Sequence, residues 1–186
     1  MLFRSAALGI GLLLWWGLAT QWEQAIDSLA VLPFVNDGGS TDTEYLSDGI
    51  GDSISFSLSQ LPKLKVISRN AVSRYKTHRV DARTVGHELG VKAVVMGRIA
   101  LRNDQIIVSA ELVNAGDNSL LWGDQLNSRL SEILSAQTEV AKRIAEKLRL
   151  RLTGQDQQRL TKHYTENPEA YLLYRSEEHT SELQSP

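Results

Sequence analysis

Residues 28–35, SLAVLPFV, are apolar at almost every position rather than at every second one. A strand with that pattern is covered on both faces, which calls for a sheet with packing above and below it. Pro33 has no amide hydrogen to give to a ladder, so it belongs near a strand end or at an unpaired position. A turn-rich loop, Asn36-Asp37-Gly38-Gly39-Ser40, follows, and Thr41-Asp42-Thr43-Glu44 reads as a capping box opening a helix. Leu46, Ile50, Ile54, Leu58 and Leu61 form an i+4 stripe along that helix, and Pro62 closes it. A buried strand, a loop and a one-faced helix together predict a crossover to a parallel neighbour.

The rest of the chain fits that start. Lys65 to Arg69 reads as a short second strand, residues 71–77 are ambiguous, and Asp81 to Leu89 reads as a helix ended by Gly90. Val91 to Leu101 and Gln105 to Asn114 are expected strands joined by Arg102-Asn103-Asp104. Ala115 to Asn118 is a turn before a strand at Ser119 to Trp122. Ser131 to Thr153 is the strongest helix, with Ile133, Val140, Ile144, Leu148 and Leu152 on one face, Glu139 placed to pair with Arg143, and Gly154 after the last turn. The expected class is therefore α/β: a mixed β-sheet with flanking helices in the order βαβαβββα, preceded by a membrane helix.

That preceding segment, residues 6–22, holds the uncharged run AALGIGLLLWWGLA, with Trp15, Trp16 and Trp22 suited to an interfacial belt. It is shorter than the roughly 20 residues of a full span. A signal peptide with Gly17 and Ala19 near its cleavage site and a buried core helix are the alternatives. No Lys or Arg occurs from Thr20 to Pro62, a bias that favours an extracytoplasmic, periplasmic domain and a single-pass membrane protein. Residues 175–186 break with the preceding pattern and resemble the translation of a sequencing-library adapter, and residues 1–5 resemble its opposite strand. Both are set aside, so the chain is expected to be a piece open at both ends, with the domain at 27–154 and a linker at 155–174.

Composition narrows the chemistry. With 20 Lys+Arg against 22 Asp+Glu, a formal charge of -2 supplies no general pull toward nucleic acid. The chain has 0 Cys, which excludes disulfide frameworks, thiolate metal sites and cysteine nucleophiles. The loop at residues 35–44 has the position of a phosphate cradle but not the Lys-Ser/Thr of a Walker loop, and its Asp37 and Asp42 would repel phosphate. Asp48 and Asp52 lie one helical turn apart, and with Asp37 and Asp42 form a candidate interaction surface or hard-cation site; solvated helix acids are the plain alternative. His87-Glu88 begins like a zincin helix, but position 91 is Val, and His78 and His163 have no companion at ligand spacing. Lys63, Lys65, Arg69, Arg74, Lys76, Arg79 and Arg83 make a basic stretch that reads as a nucleic-acid face or as an ordinary solvated exterior. No serine sits in a nucleophile elbow. No catalytic residue, cofactor or metal is expected.

The residues also carry a resemblance. DSLAVLPFVN at 27–36, EYLSDGI at 44–50, Glu88-Leu89-Gly90-Val91, Leu121-Trp122-Gly123 and EKLRLRLTG at 146–154 are together similar to the TolB amino-terminal-like domain. The wording is nearest to the variety found in bacterial transmembrane serine/threonine kinases and tetratricopeptide-repeat proteins. Thr165 to Tyr171 resembles the junction into the first repeat. Two departures stand out: the loop at 37–42 lacks the family's proline, and Gly51-Asp52-Ser53 replaces a more usual acidic or amide-bearing stretch. The resemblance implies a non-catalytic, extracytoplasmic sensing or protein-interaction domain with protein partners and no nucleic acid. The alternative is the outer portion of a serine/threonine kinase whose catalytic domain lies upstream, since no kinase motif is present.

Overall fold

The computed structural model describes residues 26–38, 44–76, 80–148 and 154–161, with scattered positions from 167 to 177. The expected segment at 6–22, the capping box at 41–43, and the adapter-like residues 1–5 and 178–186 lie outside the described residues. No helix among the described residues is long and apolar enough to cross a membrane.

Six strands form one mixed sheet: β1 (Ser28–Val31), β2 (Val35–Asn36), β3 (Lys65–Val66), β4 (Ala93–Arg102), β5 (Gln105–Asn114) and β6 (Leu120–Arg129). Their order is β3-β1-β4-β5-β6, with β2 also paired to β4. β1 is parallel to both β3 and β4, and the last three strands form an antiparallel meander. The helices are α1 (Glu44–Ser59), α2 (Arg69–Val72) continuing as a 3-10 turn (Ser73–Tyr75), α3 (Ala82–Leu89), α4 (Ile133–Lys147) and α5 (Gly154–Leu160).

The apolar run 28–35 is covered on both faces, as its pattern requires. Leu29, Val31 and Phe34 point into one core with α1, α4 and α5, while Ala30 and Leu32 point into a second core with α2 and α3. The stripe Leu46, Ile50, Ile54, Leu58 and Leu61 is wholly buried in the first core. Each such side chain contributes about 1.5–3 kcal/mol on burial, so this layer is a main source of stability.

The single strand expected over 28–35 is interrupted. β1 pairs Leu29 with Ala93, whereas β2 pairs Val35 with Arg98, so one more residue is used on this side than on β4. That extra residue makes a β-bulge around Pro33, which lacks the amide hydrogen a ladder needs. The bulge reverses the alternation and turns Phe34 into the first core, where its ring lies against Gly97 of β4 and Gly51 of α1.

The helix expected at 81–89 forms over Ala82–Leu89 and ends at Gly90, with Asp81 standing outside it as the N-cap. The Asp81 carboxylate accepts the Thr84 N–H at 3.0 Å, and Gly90 closes α3 at φ 64, a left-handed conformation that costs glycine little. The β4–β5 turn places Asn103 at φ 55, and the turn before β6 places Asn118 at φ 61; asparagine is among the few residues that tolerate both.

Three boundaries differ. The ambiguous stretch after β3 is a short helix and 3-10 turn that buries Val72 and Tyr75. The strand expected at 119–122 continues to Arg129. Its second half, GDQLNSR, has a single apolar residue because it is an edge strand covered on one face only, so a hydrophobic pattern hardly marks it. The strong helix ends at Lys147, its expected continuation over 149–153 lies outside the described residues, and Gly154 opens α5. α5 buries Leu160 in the first core.

Candidate functional site

The loops after neighbouring strands β1 and β3 leave in opposite directions. The chain after β1 crosses to α1 on one face, and the chain after β3 enters α2 on the other. A crevice opens between them at the carboxyl ends of the strands, the place where open α/β sheets most often bind ligands.

This crevice encloses about 290 Å3. Val31, Leu32 and Pro33 form its base, the second half of the apolar run having been turned aside by the bulge. α1 supplies Asp48, Gly51 and Asp52, and the opposite wall is built from Arg69, Asn70, Val72, Ser73 and Lys76. The two walls are joined by ion pairs. Lys76 Nζ lies 2.8 Å from Asp48 Oδ2 and 3.1 Å from Glu44 Oε1, and Arg69 Nη1 lies 3.0 Å from Asp52 Oδ2. Burial by itself would lower the pKa of Lys76, but the hydrogen bonds it donates to Asp48 and Glu44 outweigh it and raise the value. The side chains of Asp48 and Asp52 are only 18% and 22% exposed, so each carboxylate draws more from its partner than a freely solvated one would.

The acids singled out in the sequence are thus divided. Asp48 and Asp52 share one crevice, each facing a base. Asp37 follows β2 on the far side of Pro33, 3.8 Å from Arg98, in a broader groove that also takes in Val35, Tyr75, Met96, Ser109 and Glu111. Asp42 lies outside the described residues. Among the described residues no three His, Asp or Glu side chains come together as metal ligands.

The basic stretch at 63–83 is likewise divided, with Arg79 outside the described residues. Arg69 and Lys76 face α1, and Arg74 Nη2 reaches Glu88 Oε2 of α3 at 2.9 Å. Glu88 also accepts the Tyr75 hydroxyl at 2.5 Å, so the acid of the His87-Glu88 pair ties the 3-10 turn to α3. Burial and this carboxylate raise the Tyr75 pKa. His87 is exposed on the outer side of α3, while His78 and His163 lie outside the described residues. What the sequence did not disclose is the pairing of α1 acids with particular bases beyond β3, Asp52 with Arg69 and Asp48 with Lys76. Its only trace was two acids spaced i, i+4 on a helix followed by an excess of Lys and Arg.

Comparison with known proteins places this geometry. Residues 24–146 match a family model described as the second domain of HilA/YgeH-like transcriptional regulators. The chain is 36% identical over 150 residues to the protein named "Putative adenylate cyclase 3" of Rhizobium meliloti (strain 1021), a match that takes in 80% of this chain and 26% of that protein. The chain therefore spans about a quarter of the length of that curated relative. Among solved structures, TolB from Acinetobacter baumannii superposes with a TM-score of 0.51 at 22% identity, over 66% of this chain and 28% of that one. The fold implied by the sequence resemblance is accordingly present: a TolB-like α/β fold. By the match that covers more than half of its length, the chain belongs to the family of the HilA/YgeH-like transcriptional regulator second domain.

Proposed function

We propose that these residues form a non-catalytic sensing and protein-interaction domain of a larger signalling protein, held outside the bacterial cytoplasm by residues 6–22. The observation that carries this reading is the company the domain keeps. Related sequence occurs as one domain of proteins named for different outputs, transcriptional regulation in one case and nucleotide cyclisation in the other. A domain shared by different outputs is best understood as supplying input, and only a quarter of the cyclase-named relative is accounted for by the match. Support for the location comes from the uncharged run before Trp22 and the absence of Lys and Arg from Thr20 to Pro62. Support for protein partners comes from the resemblance of residues 27–36 and 44–50 to the TolB amino-terminal-like domain.

Reporter fusions after Tyr174 test the location. An exported reporter such as alkaline phosphatase is expected to be active there and a cytoplasmic one inactive; activity of the cytoplasmic reporter alone overturns the topology.

A second reading makes the chain the outer portion of a transmembrane serine/threonine kinase whose catalytic domain lies upstream. The likeness of Thr165 to Tyr171 to a tetratricopeptide-repeat junction favours it, whereas the cyclase-named relative favours a nucleotide cyclase as effector. A longer reading frame from the same genome distinguishes the two by the presence of a kinase catalytic loop.

A further inference from the structure

Acids line one wall of the switch-point crevice and bases the other, with the carboxylates of Glu44, Asp48 and Asp52 paired to Arg69 and Lys76. Asp48 and Asp52 stand on the α1 wall, Arg69 and Lys76 on the opposite wall, and an apolar base of Val31, Leu32, Pro33 and Val72 lies beside them. Asn70 and Ser73 add neutral hydrogen-bonding groups to the basic wall. A simple anion entering here gains two bases but meets two carboxylates. A simple cation gains the carboxylates but meets Arg69 and Lys76. A ligand bearing both charges on groups attached to one carbon satisfies both walls at once and leaves no charge unpaired.

We propose that the crevice binds a zwitterionic α-amino acid with an aliphatic side chain. Its carboxylate exchanges into the place Asp52 holds on Arg69, whose planar guanidinium suits a carboxylate better than the point charge of a lysine. Its ammonium is taken by the carboxylates of Asp48 and Asp52, one helical turn apart, and its side chain rests on Pro33 at the base. The volume of about 290 Å3 lies at the lower limit for ligand pockets, which suits an amino acid and is small for a nucleotide. The bulge at Pro33 has a role in this arrangement: it carries the chain away from the carboxyl end of β1 and leaves that end open. This site goes beyond the reading of the domain as an interaction module and stands independently of the side of the membrane on which it lies.

Titration calorimetry of the full chain with L-leucine, L-valine, acetate and isobutylamine tests the assignment. Saturable binding of an aliphatic amino acid is expected, with acetate and isobutylamine binding at least about tenfold more weakly. Arg69→Gln and Asp52→Asn are each expected to weaken binding about tenfold or more, the usual cost of losing a charge-assisted hydrogen bond. Melting curves of both variants establish that they are folded. Should either unfold, amide chemical-shift mapping of the parent chain replaces it, with shifts expected at residues 31–33, 48–52 and 69–76. No heat from either amino acid up to about 10 mM overturns the proposal. So does equal binding of acetate, undiminished affinity in a folded Arg69→Gln variant, or shifts confined to other parts of the sheet.

Discussion

Replacing Gly97 by alanine tests how the bulge is built. A Cβ at position 97 would lie 2.2 Å from Phe34 Cε2, 2.4 Å from Cζ and 2.5 Å from Cδ2, all well inside van der Waals contact. The ring has little room to retreat. It is 2% exposed, and a Cβ on Gly51 of α1 would already lie 3.4 Å from its Cδ1. The added methyl must therefore push the ring into α1, shift β4, or expel Phe34 from the core. Overpacking of this kind costs about 1–3 kcal/mol, and losing the buried ring costs about 3–5 kcal/mol. A destabilisation of about 2–4 kcal/mol is expected, read as a lower urea midpoint by circular dichroism. Phe34→Leu in the same background vacates the space the methyl needs. The double variant should therefore be less destabilised than the sum of the two singles by about 1 kcal/mol or more. A Gly97→Ala variant within about 0.5 kcal/mol of the parent, or strictly additive effects, would refute the packing of Phe34 through the bulge.

Further expectations concern the second core and the titrating groups. Gly86→Ala puts a Cβ 2.3 Å from that of Ala115 and 3.1 Å from the Val91 carbonyl oxygen, and should lower stability by about 1–3 kcal/mol in the same urea assay. Ile54→Ala removes a fully buried member of the α1 stripe and should cost about 2–5 kcal/mol; a cost below about 1 kcal/mol would show that α1 does not pack as described. Hydrogen bonds from the Thr84 backbone and hydroxyl hold the Asp81 pKa below its usual value. The stability this gives is present above the unfolded value of about 3.9 and is lost as pH falls through the lower folded value, so Asp81→Ala should weaken the acid dependence of melting. Tyr75 shifts the other way, through burial and then the Glu88 carboxylate. Its contribution is intact below the unfolded value of about 10 and lost as pH rises through the folded one, and Tyr75→Phe should remove the latest step in a spectroscopic tyrosine titration.

Local chemistry was legible wherever a residue type has one conformational use. The α1 stripe, Gly90, and the turn segments at 102–104 and 115–118 all predicted the backbone around them, because each acts on its immediate neighbours. The buried run at 28–35 also predicted cover on both faces of the sheet. Its interruption was not legible, since Pro33 signals only that a ladder bond is missing, while the bulge depends on the register against β4. The length of β6 was hidden for a related reason: Gln125, Asn127 and Arg129 face solvent, and Leu126 is the only apolar residue on the covered side of that half. Asp48 and Asp52 were recognised as a pair on one helix face. Their partners Arg69 and Lys76 became evident only when the fold set the segment after β3 across the crevice from α1, because ion pairing across a sheet end is set by topology and not by spacing.

These residues are expected to supply input and not catalysis. The most direct measurement is incubation of the purified chain with ATP and a divalent cation, followed by assay for cyclic AMP and for phosphate transferred to protein. Neither product is expected above the level of a heat-denatured control. Cyclic AMP or phosphoprotein that scales with the amount of folded chain would contradict the account.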